Sequence, residues 1–340
     1  MNLQELEQLC ACAGVSGCEN AVREAIIALL PKEATHTIDP LGNLIVRKTG
    51  TAAGKNTVML CAHMDEVGLI VTEITEEGYL SFAHVGGIER RGYLGKQVLA
   101  GKRQVPGVIG LKPVHLLEGD EKENIPPEDS LRIDVGAESR EAAAALVQPG
   151  ERVVFAPGLT CFGDGYIKAR ALDDRIGCLI LIELLRQALP YDMTAVFSTN
   201  EETGAGAAQA AAFALAPAYA IVVETTTAAD LPGVEGTQRV CSLGGGAVVP
   251  FMDRGTVYPW DLYETAQTLA AAHGIPMQTK TKIAGGNDAR SITTARGGIP
   301  TITVSVPCRG LHSPAVVMQQ KDAEAVLQLV RALWGELTQK

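Results

Sequence analysis

The sequence is poor in aromatic residues and has no excess of positive charge. Phe, Tyr and Trp account for 4% of its 340 residues, and the formal net charge is −10 at pH 7. Nucleic acids and anionic membranes attract basic surfaces, so the acidic balance argues against both as partners. A sugar-binding site usually stacks the ring on an aromatic side chain, but Trp260 and Trp334 lie outside every candidate motif.

The sequence also lacks a disulfide pattern, a signal peptide and a membrane span. Its eight cysteines form no C-x-x-C pair, and Cys61, Cys178 and Cys308 lie in apolar runs, where a free thiol acts as a small hydrophobic residue. The first residues contain no basic segment followed by an apolar one. The longest apolar stretch, 210–223, is too short to cross a bilayer. These features predict a reduced, cytoplasmic protein with no membrane partner.

Strand-like and helix-like segments alternate over most of the chain, which is typical of the α/β class. Continuous apolar runs predict buried strands at 57–62, 193–198, 219–223 and 301–306. Between about 69 and 160, short β-type runs are broken by Gly, Pro and charged residues, as in a small β-barrel or sandwich. We therefore expect a catalytic α/β domain formed by 1–68 and 162–340, with an inserted β domain at 69–161.

Two adjacent glutamates, Glu201 and Glu202, follow the predicted strand at 193–198. Adjacent carboxylates repel each other, and in α/β proteins active sites lie at the carboxyl ends of strands. The pair becomes tolerable if one carboxylate binds a cation and the other transfers a proton. We interpret Glu202 as a metal ligand and Glu201 as the general base. A solvated acidic turn is the alternative, which the apolar strand before the pair makes less attractive.

Three other predicted strands lead into a side chain that can bind a metal: His63, Glu224 and His312. Asp65 lies on the same side of an extended chain as His63, so we expect it to orient the imidazole. A surface histidine in a turn is the alternative for His63. Four strand ends of this kind are difficult to explain without a shared site.

Asp173 and Asp174 open the helical run 171–186. Aspartates at a helix start are commonly N-caps, and this remains the alternative to metal binding. A carboxylate on a rigid helix start can also bridge two cations with its two oxygens, and Asp173 is the candidate. Two histidines and three carboxylates suit zinc, cobalt or manganese better than calcium, which prefers oxygen ligands alone.

Five short segments, in this order, resemble the TET-type metallo-aminopeptidases, also called glutamyl or deblocking aminopeptidases and sometimes endoglucanase-like. They are residues 62–68, 171–175, 200–204, 285–289 and 312–314. The resemblance extends over nearly the whole chain. It implies a phosphorylase/hydrolase-like mixed-sheet catalytic domain flanked by helices, with a β-barrel-like insertion that serves in dimerisation or assembly.

The resemblance also implies a dinuclear metal site. Asp173 would bridge the ions, His63 and Glu224 would bind one, and Glu202 and His312 would bind the other. Asp65 would steer His63, and Glu201 would be the base. The chain departs from the family pattern at three positions: Glu224, where Asp is frequent; Asn287, where Thr is usual; and Arg290, where a small residue is usual.

The expected function is removal of N-terminal residues from peptides, with two divalent transition-metal ions per subunit, zinc or cobalt first and manganese next. The resemblance further implies a homo-oligomer built from dimers, often a dodecamer. An N-acyl amino-acid deacylase or a carboxypeptidase on the same dinuclear site is the alternative, with Arg290 or Arg309 holding a substrate carboxylate. A glycoside hydrolase and a non-catalytic scaffold are further alternatives.

The glycine-rich segments 244–246 and 285–288 fit neither phosphate-binding fingerprint, so we expect them to let the backbone approach a substrate. Asn287, Asp288 and Arg290 are the candidate substrate residues. Arg290 could pair with an acidic side chain in bidentate fashion, which favours peptides that begin with Glu or Asp. A surface or structural arginine is the alternative.

Overall fold

A computed structural model describes residues 1–110, 112–119, 123–204 and 206–340. In this part of the chain the helices are α1 (Leu3–Ala11), α2 (Asn20–Leu29), α3 (Arg140–Ala144), α4 (Leu172–Arg186), α5 (Ala207–Leu215), α6 (Trp260–His273), α7 (Ala289–Thr293) and α8 (Gln320–Gln339).

The same part of the chain contains the following strands, given in sequence order. The first nine are β1 (Thr35–Ile38), β2 (Leu44–Lys48), β3 (Val58–His63), β4 (Gly68–Ile74), β5 (Leu80–Val85), β6 (Gln97–Ala100), β7 (Val105–Gly110), β8 (Arg132–Asp134) and β9 (Arg152–Phe155). The others are β10 (Thr160–Phe162), β11 (Tyr166–Ala169), β12 (Met193–Ser198), β13 (Tyr219–Thr227), β14 (Ala247–Val249), β15 (Met277–Thr279), β16 (Thr301–Arg309) and β17 (Val316–Gln319).

A mixed sheet of eleven strands forms the centre of the larger part of the molecule. Its order is β1-β2-β12-β3-β13-β16-β17-β11-β10, with β14 beside β16 and β15 beside β14. The four central strands β12, β3, β13 and β16 are parallel, whereas the pairs on either side of them along this order are antiparallel. Strand β14 pairs with β16 in antiparallel and with β15 in parallel fashion. The predicted mixed α/β architecture is confirmed.

Helices cover both faces of this sheet, which explains the continuous apolar runs of the central strands. In β3, Leu60 packs in the core with α1, α4 and α8, whereas its neighbour Cys61 packs with α5 and α7 on the other face. Alternate residues of a strand point to opposite faces, so a strand buried on both faces is apolar at most of its positions.

Strands β4 to β9 form a closed barrel in the order β4-β5-β8-β7-β6-β9, which confirms the predicted small β-barrel. The barrel has its own apolar core, in which Tyr93, Ile109 and Val153 are fully buried. It lies in the chain between β3 and β10, both of which belong to the large sheet. The domain boundaries 1–68, 69–161 and 162–340 stay a prediction.

The parallel strands bring distant segments to one edge of the sheet. His63 ends β3 and pairs in register with Ser198, the last residue of β12, while Glu224 in β13 pairs with Ser305 in β16. None of the helices in the described part of the chain combines the length and apolar character needed to span a bilayer.

Candidate active site

A cavity of about 990 Å³ opens at the carboxyl ends of the central strands. Its lining includes six of the side chains that the sequence predicted for one site: His63, Asp173, Glu201, Glu202, Glu224 and His312. Four strands and the start of α4 supply them. The structure therefore brings together groups that lie far apart along the chain.

The two histidines face opposite oxygens of Asp173. Nε2 of His63 lies 3.2 Å from Oδ1 of Asp173, and Nε2 of His312 lies 3.4 Å from Oδ2. His63 Nε2 is also 3.5 Å from Oε1 of Glu224, and His312 Nε2 is 3.3 Å from Oε2 of Glu202. Nε2 of each imidazole thus lies close to Asp173 and to one further carboxylate, that of Glu224 for His63 and that of Glu202 for His312.

The local backbone explains how these groups are presented. Asp173 and Asp174 are joined by a cis peptide at the start of α4. After β12, Asn200 adopts a left-handed conformation with φ 57°, which asparagine tolerates better than most residues, and this turns the chain so that Glu201 and Glu202 follow at the cavity wall. His312 also has φ 57°.

Asp65 is fully buried and connects the end of β3 to the Glu201–Glu202 turn. Its Oδ1 accepts the amide N–H of Glu201 at 3.1 Å, and its Oδ2 accepts the amide N–H of Glu202 at 3.1 Å and the hydroxyl of Ser16 at 2.6 Å. Nδ1 of His63 lies 3.1 Å from the main-chain oxygen of Asp65 and 3.4 Å from Oδ1. A proton on Nδ1 satisfies these oxygens and leaves Nε2 free as a ligand atom.

Burial and crowding of charges alter the acidities in the site. Burial raises the pKa of Glu201 and of Glu202 well above the usual range, with further contributions from neighbouring carboxylates, and it raises the pKa of Glu224 to about 7. Burial opposes protonation of His63, but the carboxylates of Glu224 and Asp173 raise its pKa well above the usual value. The site holds more negative charge than its own residues neutralise.

The donor set fits divalent metal ions. Ligand atoms of His63, Asp173 and Glu202 lie within 4.8 Å of one another, and so do those of His63, Asp174 and Glu224. Oδ2 of Asp174 is buried and has no hydrogen-bond partner among the described residues. Imidazole nitrogens together with carboxylate oxygens are the ligands that zinc and related transition metals take from proteins.

The family follows from comparison with known proteins. Residues 42–329 match the family model described as M42 glutamyl aminopeptidase. The chain belongs to this family. The resemblance inferred from the five short segments is thus confirmed, and the M42 chain is a peptide hydrolase of the aminopeptidase type that depends on divalent metal ions.

Named relatives and solved structures of the M42 family align with almost the whole chain. A lysyl aminopeptidase from Pyrococcus furiosus is 33% identical over 333 residues, covering 95% of this chain and 94% of that protein. A glutamyl aminopeptidase from Lactococcus lactis subsp. cremoris is 27% identical over 330 residues, covering 94% and 91%. The structure of the TET1 peptidase of Pyrococcus horikoshii, described as assembling into a tetrahedron or a large octahedral shell, has a TM-score of 0.87 at 33% identity and covers 97% and 98%.

The three predicted substrate residues of this M42 chain have different surroundings. Asp288 is buried, accepts the hydroxyl of Ser198 at 2.6 Å and has its pKa raised to about 6 by burial. The amide nitrogen of Asn287 lies 3.3 Å from the hydroxyl oxygen of Tyr258, so its donor is used within the protein. Arg290 is exposed and lines the cavity.

Sequence reasoning missed three residues at this site, two serines and one lysine. Ser16 and Ser198 hydrogen-bond to the buried carboxylates of Asp65 and Asp288, but nothing in their local sequence marks them. Lys280 also lines the cavity, directly after β15, a strand of three residues that carries no clear alternating pattern. Only the packing of distant strands identifies these residues.

Proposed function

We propose that this M42 peptidase removes N-terminal residues from peptides with Glu201 as general base beside two divalent transition-metal ions. The observation that carries the proposal is the position of Asp173, whose two oxygens each face a different imidazole at 3.2 and 3.4 Å. A carboxylate in this position can serve two ions at once. Zinc or cobalt suits the donor set best, followed by manganese.

The ligand assignment follows the contacts of the two imidazoles. His63 and Glu224 would hold one ion, His312 and Glu202 the other, and Asp173 both. Oε1 of Glu224 lies 3.5 Å from Nε2 of His63. The glutamate side chain, although longer than the aspartate frequent at this position, is therefore compatible with a ligand role. When bound, the ions would supply Lewis-acid stabilisation of the charge that develops on the scissile carbonyl oxygen.

Glu201 has the position and acidity of a proton carrier. Its main chain is held by Asp65, its side chain borders the cavity, and burial raises its pKa. A carboxylate whose pKa lies closer to neutrality can take a proton from the attacking water and give it to the leaving amine nitrogen. Asp65 would keep the orientation of both His63 and the Glu201 turn.

Substrate profiling tests the proposal. The protein, incubated with zinc or cobalt, should hydrolyse leucyl-p-nitroanilide, lose this activity with a chelator and regain it when metal is restored. N-acetyl-leucyl-p-nitroanilide should not be cleaved. Cleavage of only the blocked substrate or of C-terminal residues would instead favour a deacylase or carboxypeptidase. Arg309, one cation that such an enzyme could use, already binds Asp230 at 2.7 Å.

We also propose that the chain works as a cytoplasmic homo-oligomer built from dimers, with a dodecamer as the leading form and the 69–161 barrel region in the contacts. The shells described for the Pyrococcus horikoshii relative support this proposal. Light scattering should give a mass that is a large multiple of the 35.8 kDa subunit, and a monomer would contradict it.

Preference for an N-terminal Glu or Asp remains a proposal, since the relatives bear the names of both a lysyl and a glutamyl aminopeptidase. Arg290 stays a candidate because it lines the cavity and is exposed. Replacing it by alanine and comparing glutamyl with leucyl hydrolysis tests its part.

A further inference from the structure

The cavity continues beyond Glu224, away from the two histidines. This region, which we call the lysine arm, is bordered by Thr226, Val240 and Lys280. Thr226 follows Glu224 by two residues in β13, so the two side chains point to the same face of the sheet. The arm is therefore continuous with the candidate metal site.

The order of the strands sets the distance between the arm and the site. Glu224 pairs in register with Ser305, Ser305 with Val248, and Val248 with Gln278, which lies two residues before Lys280. Three steps of about 4.8 Å across a sheet separate Glu224 from Gln278 by roughly 14 Å. Lys280 and Glu224 line the same cavity, and a gap of this size accommodates one amino-acid side chain or one short peptide.

Lys280 has an unusual environment for a charged residue. It is partly buried, and its Nζ donates to the main-chain oxygen of Ala284 at 2.8 Å. It forms no ion pair with any carboxylate in the described ranges of the chain. Asp253, whose charge acts on Lys280, already accepts the amides of Gly255 and Thr256 and the hydroxyl of Tyr258.

The arm therefore contains hydrogen-bond donors for which the described residues provide no acceptor. An ammonium group carries three N–H donors, of which Lys280 uses one on the main-chain oxygen of Ala284, and the hydroxyl of Thr226 is buried without a partner among the described residues. Burial lowers the pKa of Lys280, as expected for an ammonium group that is partly removed from water. A carboxylate placed in the arm would compensate that charge and favour the protonated amine.

We propose that the lysine arm binds a carboxylate of the peptide substrate and that Lys280 is the residue that selects it. This inference rests on the proposed aminopeptidase function. The carboxylate can come from the side chain of an N-terminal Glu or Asp, or from the C-terminus of a dipeptide. In either case Lys280 supplies a positive charge for anionic substrates that is separate from that of Arg290, which also lines the cavity.

Four substrates distinguish the two sources of the carboxylate. Glutamyl-p-nitroanilide carries only the side-chain carboxylate, and leucyl-p-nitroanilide carries none. Leucyl-alanine carries only the C-terminal carboxylate, and leucyl-alanine amide carries none. For Lys280→Met, kcat/KM should fall about 10- to 100-fold for one carboxylate-bearing substrate relative to its neutral partner, the loss expected for a charge-assisted hydrogen bond. Lys280→Arg should keep the preference.

Lys48→Met is the matched control. Lys48 is also partly buried and donates to two main-chain oxygens, those of Leu185 and Gln187, but it lies at the opposite end of the sheet, where β2 pairs with the start of β12. This variant should leave both substrate ratios unchanged.

Unchanged ratios in Lys280→Met would overturn the inference. Equal losses on all four substrates would overturn it as well, because they would show that Lys280 only supports the loop at Ala284. Failure of the proposed function is distinguishable from both results, since the wild-type protein would then hydrolyse none of the four substrates.

Discussion

At the scale of single residues, the two adjacent glutamates differ in what they contact. Glu202 lies 3.3 Å from His312 and thus within the predicted ligand set, whereas no ion pair to Glu201 is found in the described part of the chain. Both amides are held by Asp65. The main chain therefore fixes both positions, and the direction of the side chain distinguishes the proposed ligand from the proposed base.

Replacing Glu201 by glutamine should remove the base and keep the shape of the site. We expect kcat to fall by about 10²- to 10⁴-fold, the usual contribution of a positioned general base. Bound metal, measured by elemental analysis after gel filtration, should equal that of the wild type. A variant with wild-type turnover would refute the role of Glu201, and a metal-free variant would make it a ligand.

Glu66 shows how a residue outside the cavity supports the site. It is buried, contacts the guanidinium groups of Arg170 and Arg175, and accepts the amide of Gly14 at 3.0 Å. Arg175 in turn binds the main-chain oxygen of Met64, next to His63. This network fixes the end of β3.

Glu66→Ala should lower the free energy of unfolding by about 3–5 kcal/mol, since it leaves two buried arginines without their counter-ion. Urea denaturation followed by circular dichroism measures the change. Glu89→Ala is the control, because Glu89 forms an exposed pair with Arg91 at 2.6 Å and should matter little. Equal effects in the two variants would contradict the prediction.

At the scale of elements, the start of α4 depends on a glycine. Gly177 lies one turn after Asp174, and its amide donates to Oδ1 of Asp174 at 3.1 Å. A Cβ at Gly177 would lie 2.3 Å from Oδ2 of Asp174, which is too close for unbonded atoms. The glycine leaves space for the carboxylate beside the candidate metal ligands.

Gly177→Ala should therefore destabilise the protein and weaken metal binding, although alanine normally favours a helix over glycine by about 1 kcal/mol. Gly335→Ala in α8 is the matched control, since no atom lies within 4 Å of a Cβ there, and it should stabilise by about 0.5–1 kcal/mol. Thermal unfolding with and without added zinc compares them. The same sign of change in both variants would be inconsistent with this account.

The central elements could be predicted from the sequence because burial on both faces leaves a continuous apolar run. The run at 193–198 coincides with β12, Met193–Ser198, and the functional residues follow such strands. The short edge strands β14 and β15 have only three residues each, so their pairing depends on β16 rather than on a local pattern. For this reason the sequence did not indicate Lys280.

At the scale of the whole molecule, the acidic cluster links stability to pH when metal is absent. Burial raises the pKa of Glu224 from 4.5 to about 7. Between these values the folded protein binds more protons than the unfolded chain, so its stability falls as the pH rises. The raised pKa values of His63 and His312 act in the same direction, because the stability they contribute is lost as the pH passes their folded values.

The metal-free protein should thus be less stable at pH 8 than at pH 5, by about 2.5 kcal/mol from Glu224 alone. Urea titrations in chelator at both pH values measure this difference. Added zinc should reduce it, because bound cations compensate the ionised carboxylates. Greater stability of the chelated protein at pH 8 would contradict the assignment.

The distribution of the donors along the polypeptide has a consequence for biosynthesis. His63 belongs to the third strand, whereas His312 follows the sixteenth. A chain still emerging from the ribosome therefore lacks one of the two imidazoles of the candidate site until synthesis is nearly complete. With the proposed ligand set, the nascent chain could trim neither its own N-terminus nor those of neighbouring polypeptides, and proteolytic capacity would arise only in the finished molecule.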